Sequence, residues 1–212
     1  MDMTTRRPVI RRRDERGAAM VEFAMILPLL VLLTFGIIEF GVAFNASSSV
    51  SQASRAGGRT AAIFSSDPQL EFNAGLAAAN ALDVSPNSIT GNPTICVSKF
   101  VAGGDPCTDQ YSMQIPVAHF GGAGNPTWQT TYSGAAVGAI PAGNDNWPVA
   151  NRNFGCPPKN TFDRVVVRVQ IHHDLLVPGL FKQFFGNNTS PTITSDSVFQ
   201  LEPVPTNQCS AP

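Results

Sequence analysis

The sequence lacks a charge excess of either sign. Its 14 basic and 15 acidic residues leave a formal net charge of -1 over 212 residues. A protein that binds nucleic acid carries a strong basic excess on one face, because many of its contacts are made to phosphates. The charge balance therefore gives no reason to expect a nucleic acid as a partner.

Patterns that carry catalysis or bind metals are also missing. The sequence contains no nucleophile elbow, no P-loop and no pair of carboxylates at catalytic spacing outside its apolar segment. The adjacent His172 and His173 would point to opposite faces of a strand, so they cannot readily share one ion. We interpret them as a solvated strand end, and we expect no metal site, no cofactor and no enzymatic activity.

Charge is absent from one long apolar stretch near the N-terminus. No charged residue occurs from Phe23 to Ile38, and the apolar character continues after Glu39 as far as Phe44. A helix over residues 18–44 would be ~40 Å long, enough to cross a hydrocarbon core of ~30 Å. We interpret Glu39 as the marker of the outer edge of this span.

Basic residues are concentrated before the span. Residues 1–17 hold six of the 14 lysines and arginines in the chain. Positive residues beside a span remain in the cytoplasm. We therefore predict a basic cytoplasmic leader over residues 1–17, a single crossing of the cytoplasmic (inner) membrane, and an extracytoplasmic domain over residues 65–212.

The helix is predicted to continue beyond the membrane. Small or apolar residues recur at steps of three and four from Val42 to Phe64, which is the pattern of one helical face. Gly57 and Gly58 oppose a helix by about 1 kcal/mol each and could bend or break it there. The predicted helix covers residues 18–64.

The rest of the chain indicates an α+β domain with a small antiparallel sheet. Asp67 and Pro68 are typical of an N-cap and first residue of a short second helix.

Valines alternate with polar residues from Phe162 to His172, which favours a sheet with one wet face laid on the long helix. Residues 121–158 are rich in Gly, Pro and Asn and are interpreted mostly as loops. The other predicted strands are Ile95–Phe100, Ile193–Leu201 and a weaker Met113–Val117, which is demoted by Pro116.

Four cysteines follow the span, at Cys96, Cys107, Cys156 and Cys209. An even number on the outer side of a membrane indicates two disulfides, for which the sequence allows three pairings. The short separation favours Cys96 with Cys107, which leaves Cys156 with Cys209. If the topology were inverted, buried free thiols would be the better interpretation.

The junction of leader and span carries the most informative motif. Gly17 follows the basic leader, Ala18 begins the apolar helix, and Glu22 and Phe23 come one turn later. This arrangement resembles the processing site of type IV-like prepilins. The run RGAAMVEFAMILPLLVLLTFGIIEFGVAF, with the Ser/Ala/Arg helix that continues to Arg59, resembles the TadE-like family over about residues 16–59.

The resemblance implies a minor pilin or pseudopilin of a Flp-type, tight-adherence pilus. A prepilin peptidase would cut after Gly17 and free the amine of Ala18, and Glu22 would set helix register against neighbouring subunits. Implied partners are the peptidase, other pilin or pseudopilin subunits, the assembly platform in the membrane, and lipid. After processing the protein could be part of a surface pilus.

Two other functions remain open. An uncleaved anchor could carry a surface module that binds a cell-envelope ligand, in which case the mature chain would begin at residue 1 or 2. An exported hydrolase would require a cleft that joins His119 or His173 to a serine and a carboxylate. Its signal peptide would be cut near Phe44, behind an apolar segment too long for that purpose.

Overall fold

The computed structural model describes residues 15–84, 89–107, 113–120, 127–130, 147–155, 161–175 and 190–203. For residues 15, 16, 92, 113–120 and 127–130 the description is limited to the backbone. The chain divides into two compact units, Met1–Phe40 and Gly41–Pro212. Each unit is described by itself.

The long N-terminal helix, α1, spans Glu15–Ile63 and contains Pro28. It begins slightly earlier than predicted and ends at Ile63 instead of Phe64. In the first unit its large apolar side chains are exposed, whereas in the second unit its residues alternate between buried and exposed. Among the described residues, the side chains of α1 that belong to the hydrophobic core all lie in the second unit, from Ala46 onward.

Helix α1 continues without a break through Gly57 and Gly58. A Cβ atom at Gly57 would lie 2.8 Å from the carbonyl oxygen of Ala74 and 3.0 Å from Val167. A Cβ atom at Gly58 would lie 2.3 Å from the ring of Phe199. The glycines are close-packing sites and not a bend, because other residues cannot approach so closely without rearrangement.

A second helix, α2, spans Leu70–Ala81. The predicted start at Asp67 and Pro68 is wrong. The Asp67 carboxylate accepts a hydrogen bond from the backbone N–H of Gln69 at 2.8 Å, and its carbonyl accepts one from Leu70 at 3.2 Å. The side chain and carbonyl of Asp67 therefore close a turn by accepting from Gln69 and Leu70, and Gln69 occupies the N-cap position of α2.

Within the described residues the sheet has five strands in the order β3-β2-β1-β4-β5, and every neighbouring pair is antiparallel. The strands are β1 (Ile89–Lys99), β2 (Met113–Phe120), β3 (Thr127–Thr130), β4 (Arg164–His173) and β5 (Thr192–Gln200), and a short 3-10 helix spans Val149–Asn151. The α+β class and the small antiparallel sheet are as predicted from the sequence.

Two strand predictions need correction. Strand β2 lies between β1 and β3, so Pro116 does not confine it to the edge. Pro116 is opposite Thr94 on β1, and within the described residues β3 pairs with residues 117–120. In that part of the chain no residue pairs with Pro116 on the side of β3, so its missing N–H is tolerated there. Strand β3 also interrupts the segment interpreted as loops.

The core of the second unit lies between α1, α2 and the sheet. Val50 and Ala53 from α1, Ala78 from α2, and Ile95 and Val167 from the sheet are all fully buried there. The alternation predicted for β4 is confirmed, because its odd-numbered residues from 165 to 171 belong to this core. Ser54 strengthens the helix–sheet contact, since its hydroxyl is 3.2 Å from Ser195 Oγ and 2.9 Å from Ser197 Oγ.

Candidate functional site

The first candidate site is the start of α1. Gly17, Ala18, Glu22 and Phe23 are all exposed in the first turns of the helix. Positions 18 and 22 are four residues apart and therefore lie on nearly the same face, about 6 Å along the axis. An amine created at Ala18 and the Glu22 carboxylate would face the same neighbour.

Among the residues that the structure describes, none packs closely against Gly17. A Cβ atom added there would meet no atom within 4 Å, in contrast to Gly57 and Gly58. Glycine is nevertheless about 1 kcal/mol less favourable than alanine inside a helix. Gly36 and Gly41 have equally open surroundings, but they lie within the apolar segment and not at its junction with the basic leader.

Glu22 lies in an exposed apolar belt. Met20, Phe23, Met25 and Ile26 surround it along the helix and are all exposed. No hydrogen bond or ion pair joins Glu22 to any residue that the structure describes. In a membrane this carboxylate would be a charge among lipid-facing side chains, which is unfavourable unless a counter-charge is supplied.

The apolar belt continues along α1. Within the described residues, the segment Gly17–Ile63 is the one helix long and apolar enough to span a membrane. Glu39, which was interpreted as an edge marker, is only 7% exposed. Its burial distinguishes it from Glu22, which is exposed, and its interpretation as the outer edge of the span stays a prediction.

The disulfide prediction can be compared with the structure in part. Cys96 and Cys107 form a disulfide with their Cα atoms 5.2 Å apart. Cys96 is fully buried in the second half of β1, and Cys107 follows the loop that leaves the strand. Cys156 and Cys209 lie outside the described residues.

His172 and His173 point to opposite faces of β4, as the strand geometry predicts. His172 is exposed and lies 3.1 Å from Thr192 Oγ1, whereas His173 is buried. The expectation of a solvated strand end therefore holds for His172 and is wrong for His173, which points into the domain. Among the described residues there is no group of three or more His, Cys, Asp or Glu side chains that could hold a metal.

Sequence reasoning missed a buried cluster around Arg152. This guanidinium donates to Glu71 Oε2 at 3.0 Å, to the Trp147 carbonyl at 2.7 Å, and to the Asp67 carbonyl. It also lies 5.5 Å from the centre of the Trp147 ring. Arg152 and Glu71 are fully buried side chains, so the cluster ties the segment around the 3-10 helix to α2 and serves the fold.

A second ionic cluster lies on the outer face of the sheet. Arg168 donates from Nε and Nη2 to the two oxygens of Asp196, at 2.7 Å each, and from Nη1 to Asp105 at 2.6 Å. The hydrogen bonds to Asp196, with the charges of both carboxylates, raise the pKa of Arg168, while its partial burial acts in the opposite direction. Asp105 belongs to the loop closed by the disulfide, so Arg168 holds that loop against β4 and β5.

Together these features describe a protein with an N-terminal helix long and apolar enough to span a membrane, followed by a small antiparallel sheet. A basic N-terminal segment leads into one helix of membrane-spanning length, and the second half of that helix packs on an antiparallel sheet. Residues 17–59 match the family described as TadE-like protein. The N-terminal part of the chain is therefore TadE-like, as its sequence resemblance indicated.

The matched segment covers about a fifth of the chain and stops before α2 and the sheet. Neither a comparison with curated proteins nor one with solved structures gave a match.

Proposed function

We propose that this protein is a minor pilin or pseudopilin that acts in the assembly of a Flp-type, tight-adherence pilus. The observation that carries the proposal is the TadE-like match over residues 17–59, which begins at the glycine before the exposed apolar helix. The chain is then the substrate of a prepilin peptidase and not itself an enzyme.

Processing begins at Gly17. The peptidase cuts the peptide bond between Gly17 and Ala18, which leaves a new amine on the first residue of the helix. The open surroundings of Gly17 support this role, because the fold gives no other reason for glycine at that position. Removal of the leader also removes six arginines that would otherwise hold the N-terminus at the cytoplasmic surface.

Assembly then depends on Glu22. An unpaired charge costs about 2.5–3.5 kcal/mol at the centre of a span, and Glu22, at the N-terminal end of the apolar segment, carries a smaller penalty than that. The helix dipole offsets about 0.3–1 kcal/mol of this penalty, and pairing with the Ala18 amine of a neighbouring subunit reduces it further. Because this pairing occurs at one axial offset, it sets the register between adjacent helices.

The proposed topology assigns the second half of α1 and the sheet to the extracytoplasmic side. The arginine-rich leader favours a cytoplasmic N-terminus. The Cys96–Cys107 disulfide fits this orientation, because disulfides persist in oxidising compartments outside the cytoplasm. Pilin subunits, the assembly platform and lipid are the partners of α1 in this arrangement.

The test is N-terminal mapping by mass spectrometry in the native host. The unaltered protein is expected to begin at Ala18, and Gly17→Leu is expected to keep the leader. Gly36→Leu is the matched control, because it is also a helical glycine with no atom within 4 Å of an added Cβ. A mature start at residue 1 or 2 in the unaltered protein would support a static surface anchor, and a start near Phe44 would support an ordinary exported protein.

A further inference from the structure

The outward side of α1 in the second unit carries an exposed face that the rest of this unit leaves uncovered. We call it the basic face, and it consists of Gln52, Arg55, Arg59 and Ile63, all of them exposed. Residues at steps of three and four lie along one side of a helix. The face is about 16 Å long, because a helix rises 1.5 Å per residue.

The positive charge of this face has no counter-charge on the helix. Arg55 and Arg59 are four residues apart, which places their Cβ atoms about 5–6 Å from one another. No acidic residue occurs in α1 from Phe40 to Ile63. Like charges at this spacing weaken a helix, so the arginine pair is unfavourable for α1 taken by itself.

Two acidic residues lie beside this part of α1 without pairing with the arginines. The backbone N–H of Asp83 donates to Ser49 Oγ at 2.7 Å, and that of Glu202 donates to the Ala62 carbonyl at 3.0 Å. Within the described residues, neither carboxylate forms an ion pair with an arginine of the basic face. Both guanidinium groups therefore face solvent with their charge uncompensated.

The arginines of the basic face differ in this respect from the rest of the second unit. Every other basic side chain that the structure describes there contacts a carboxylate or an aromatic ring, and these side chains are Lys99, Arg152, Arg164 and Arg168. Those contacts serve the fold, whereas Arg55 and Arg59 make no hydrogen bond or ion pair with any described residue. The fold does not account for this pair.

Ile63 adds an apolar contact one turn beyond Arg59. Its side chain is 61% exposed, and burying it would be favourable. Ala56 and Thr60 lie along the margin of the face and are small and half-buried, so a second helix can approach α1 closely there. The face thus presents two cations and then an apolar group at successive turns.

From these observations we propose that the basic face docks an amphipathic helix of another protein, one with two carboxylates four residues apart and a large apolar residue four residues from one of them. The carboxylates would pair with Arg55 and Arg59, and the apolar residue would pack on Ile63. Side chains at steps of four form a ridge, which is the surface along which two helices pack. The inference stands on the second unit alone and does not depend on the proposed role in pilus assembly.

Two other occupants fit less well. A second copy offers no described helix with two exposed carboxylates at this spacing, since the one acid of α2, Glu71, is buried. Arg55 lies 11 residues after Phe44, where the apolar run ends, and this is about 16 Å of helix. Lipid headgroups extend only about 5–8 Å beyond the hydrocarbon core, so they do not reach the arginine pair.

The experiment uses the full-length protein in a neutral detergent and labelled alanine-rich peptides of about 20 residues, a length at which such sequences form helices. The matched peptides carry Glu-X3-Glu-X3-Leu or the same pattern reversed, because helices pack in either direction. One control replaces both glutamates by glutamine. The other moves one glutamate by two positions, which keeps the net charge and turns the two carboxylates to different sides of the helix.

Binding is followed by fluorescence anisotropy. We expect one direction of the matched peptide to bind, and both of its controls to show a Kd at least about tenfold weaker, which corresponds to about 1.4 kcal/mol. The second control separates a specific pairing from a general attraction between opposite charges.

Matched variants locate the site. Arg59→Glu is expected to weaken binding of the matched peptide about tenfold or more, whereas Arg164→Glu makes the same change of charge at an exposed position of β4 and is expected to have little effect. The double variant Arg55→Glu with Arg59→Glu should instead bind a peptide in which lysines replace both glutamates. This exchange of partners would also show that the variant is folded.

Several results would overturn the proposal. They are no binding by either matched peptide, equal affinity for the matched peptide and the displaced-glutamate control, equal effects of Arg59→Glu and Arg164→Glu, and no binding of the lysine peptide by the double variant. A change of oligomeric state in Arg59→Glu would assign the face to a second copy. Loss of peptide binding in nanodiscs of phosphatidylglycerol, but not of phosphatidylcholine, would assign it to lipid, and either result would contradict the proposal.

Discussion

Replacement of Arg152 by methionine is the sharpest test of what holds the second unit together. The change leaves the Glu71 carboxylate buried without this cation, and breaking a buried ion pair from one side costs about 3–5 kcal/mol. The carbonyls of Asp67 and Trp147 also lose a donor each. We expect the free energy of unfolding to fall by at least about 3 kcal/mol, more than a hundredfold in the equilibrium.

The assay is denaturant unfolding of the full chain in a non-ionic detergent. Trp147 is a suitable reporter, because it is fully buried and lies against the Arg152 guanidinium. A Trp128→Phe background leaves it as the single tryptophan of the two in the chain. All variants are compared in this background.

The matched control is Arg168→Met. Arg168 also bonds to two carboxylates, but its partners Asp105 and Asp196 are 50% and 39% exposed. Exposed ion pairs contribute only about 0.2–1 kcal/mol, because water screens them. Equal losses of stability for Arg152→Met and Arg168→Met would refute the argument, since burial would then make no difference.

A double-mutant cycle separates the pair from its surroundings. In the double variant Glu71→Met with Arg152→Met, no buried charge from the pair is left uncompensated. We expect this variant to lose less stability than the sum of the two single changes, with a coupling of about 1–3 kcal/mol. Additive losses would mean that the ion pair itself contributes little.

Three further predictions concern other parts of the chain. Gly57→Ala should lower stability by about 1–3 kcal/mol in the same assay, despite the better helix propensity of alanine, because the new Cβ meets the Ala74 carbonyl; a gain in stability would show that the helix and α2 can separate easily. Cys107→Ser should cost about 3 kcal/mol through the lost loop closure, and reductant should remove the difference from the unaltered protein. Glu22→Gln should leave the second unit equally stable but impair assembly of subunits in the host; normal maturation, subunit association and piliation would contradict the role of this carboxylate.

Periodicity predicted the parts of the fold in which local pattern and burial agree. The helix was evident from an uncharged run followed by a regular stripe, and β4 from alternating valines that do form one buried face. Strand β3 and the internal position of β2 were missed, because a proline and a glycine-rich neighbourhood are local signals against strands. Strand pairing is a tertiary effect that outweighs such signals.

The TadE-like motif could be recognised from the sequence because it is contiguous, and the roles of Gly17 and Glu22, five residues apart, stay predictions. Arg152 and Glu71 are separated by 81 positions, and neither has neighbours that indicate a buried partner. Gly57 and Gly58 show the converse case, since composition predicted a possible break in the helix at a place where the helix packs closely on α2 and the sheet.

The close packing of α1 on the sheet has a practical consequence for anyone who wishes to express the second unit without the apolar N-terminal half of the helix. A fragment trimmed to begin after Ile63 would discard Val50, Ala53 and the shared hydroxyl of Ser54, and it would leave the valine face of β4 open to water. A fragment of the second unit should therefore start before Ala46, the first helix residue buried in the core.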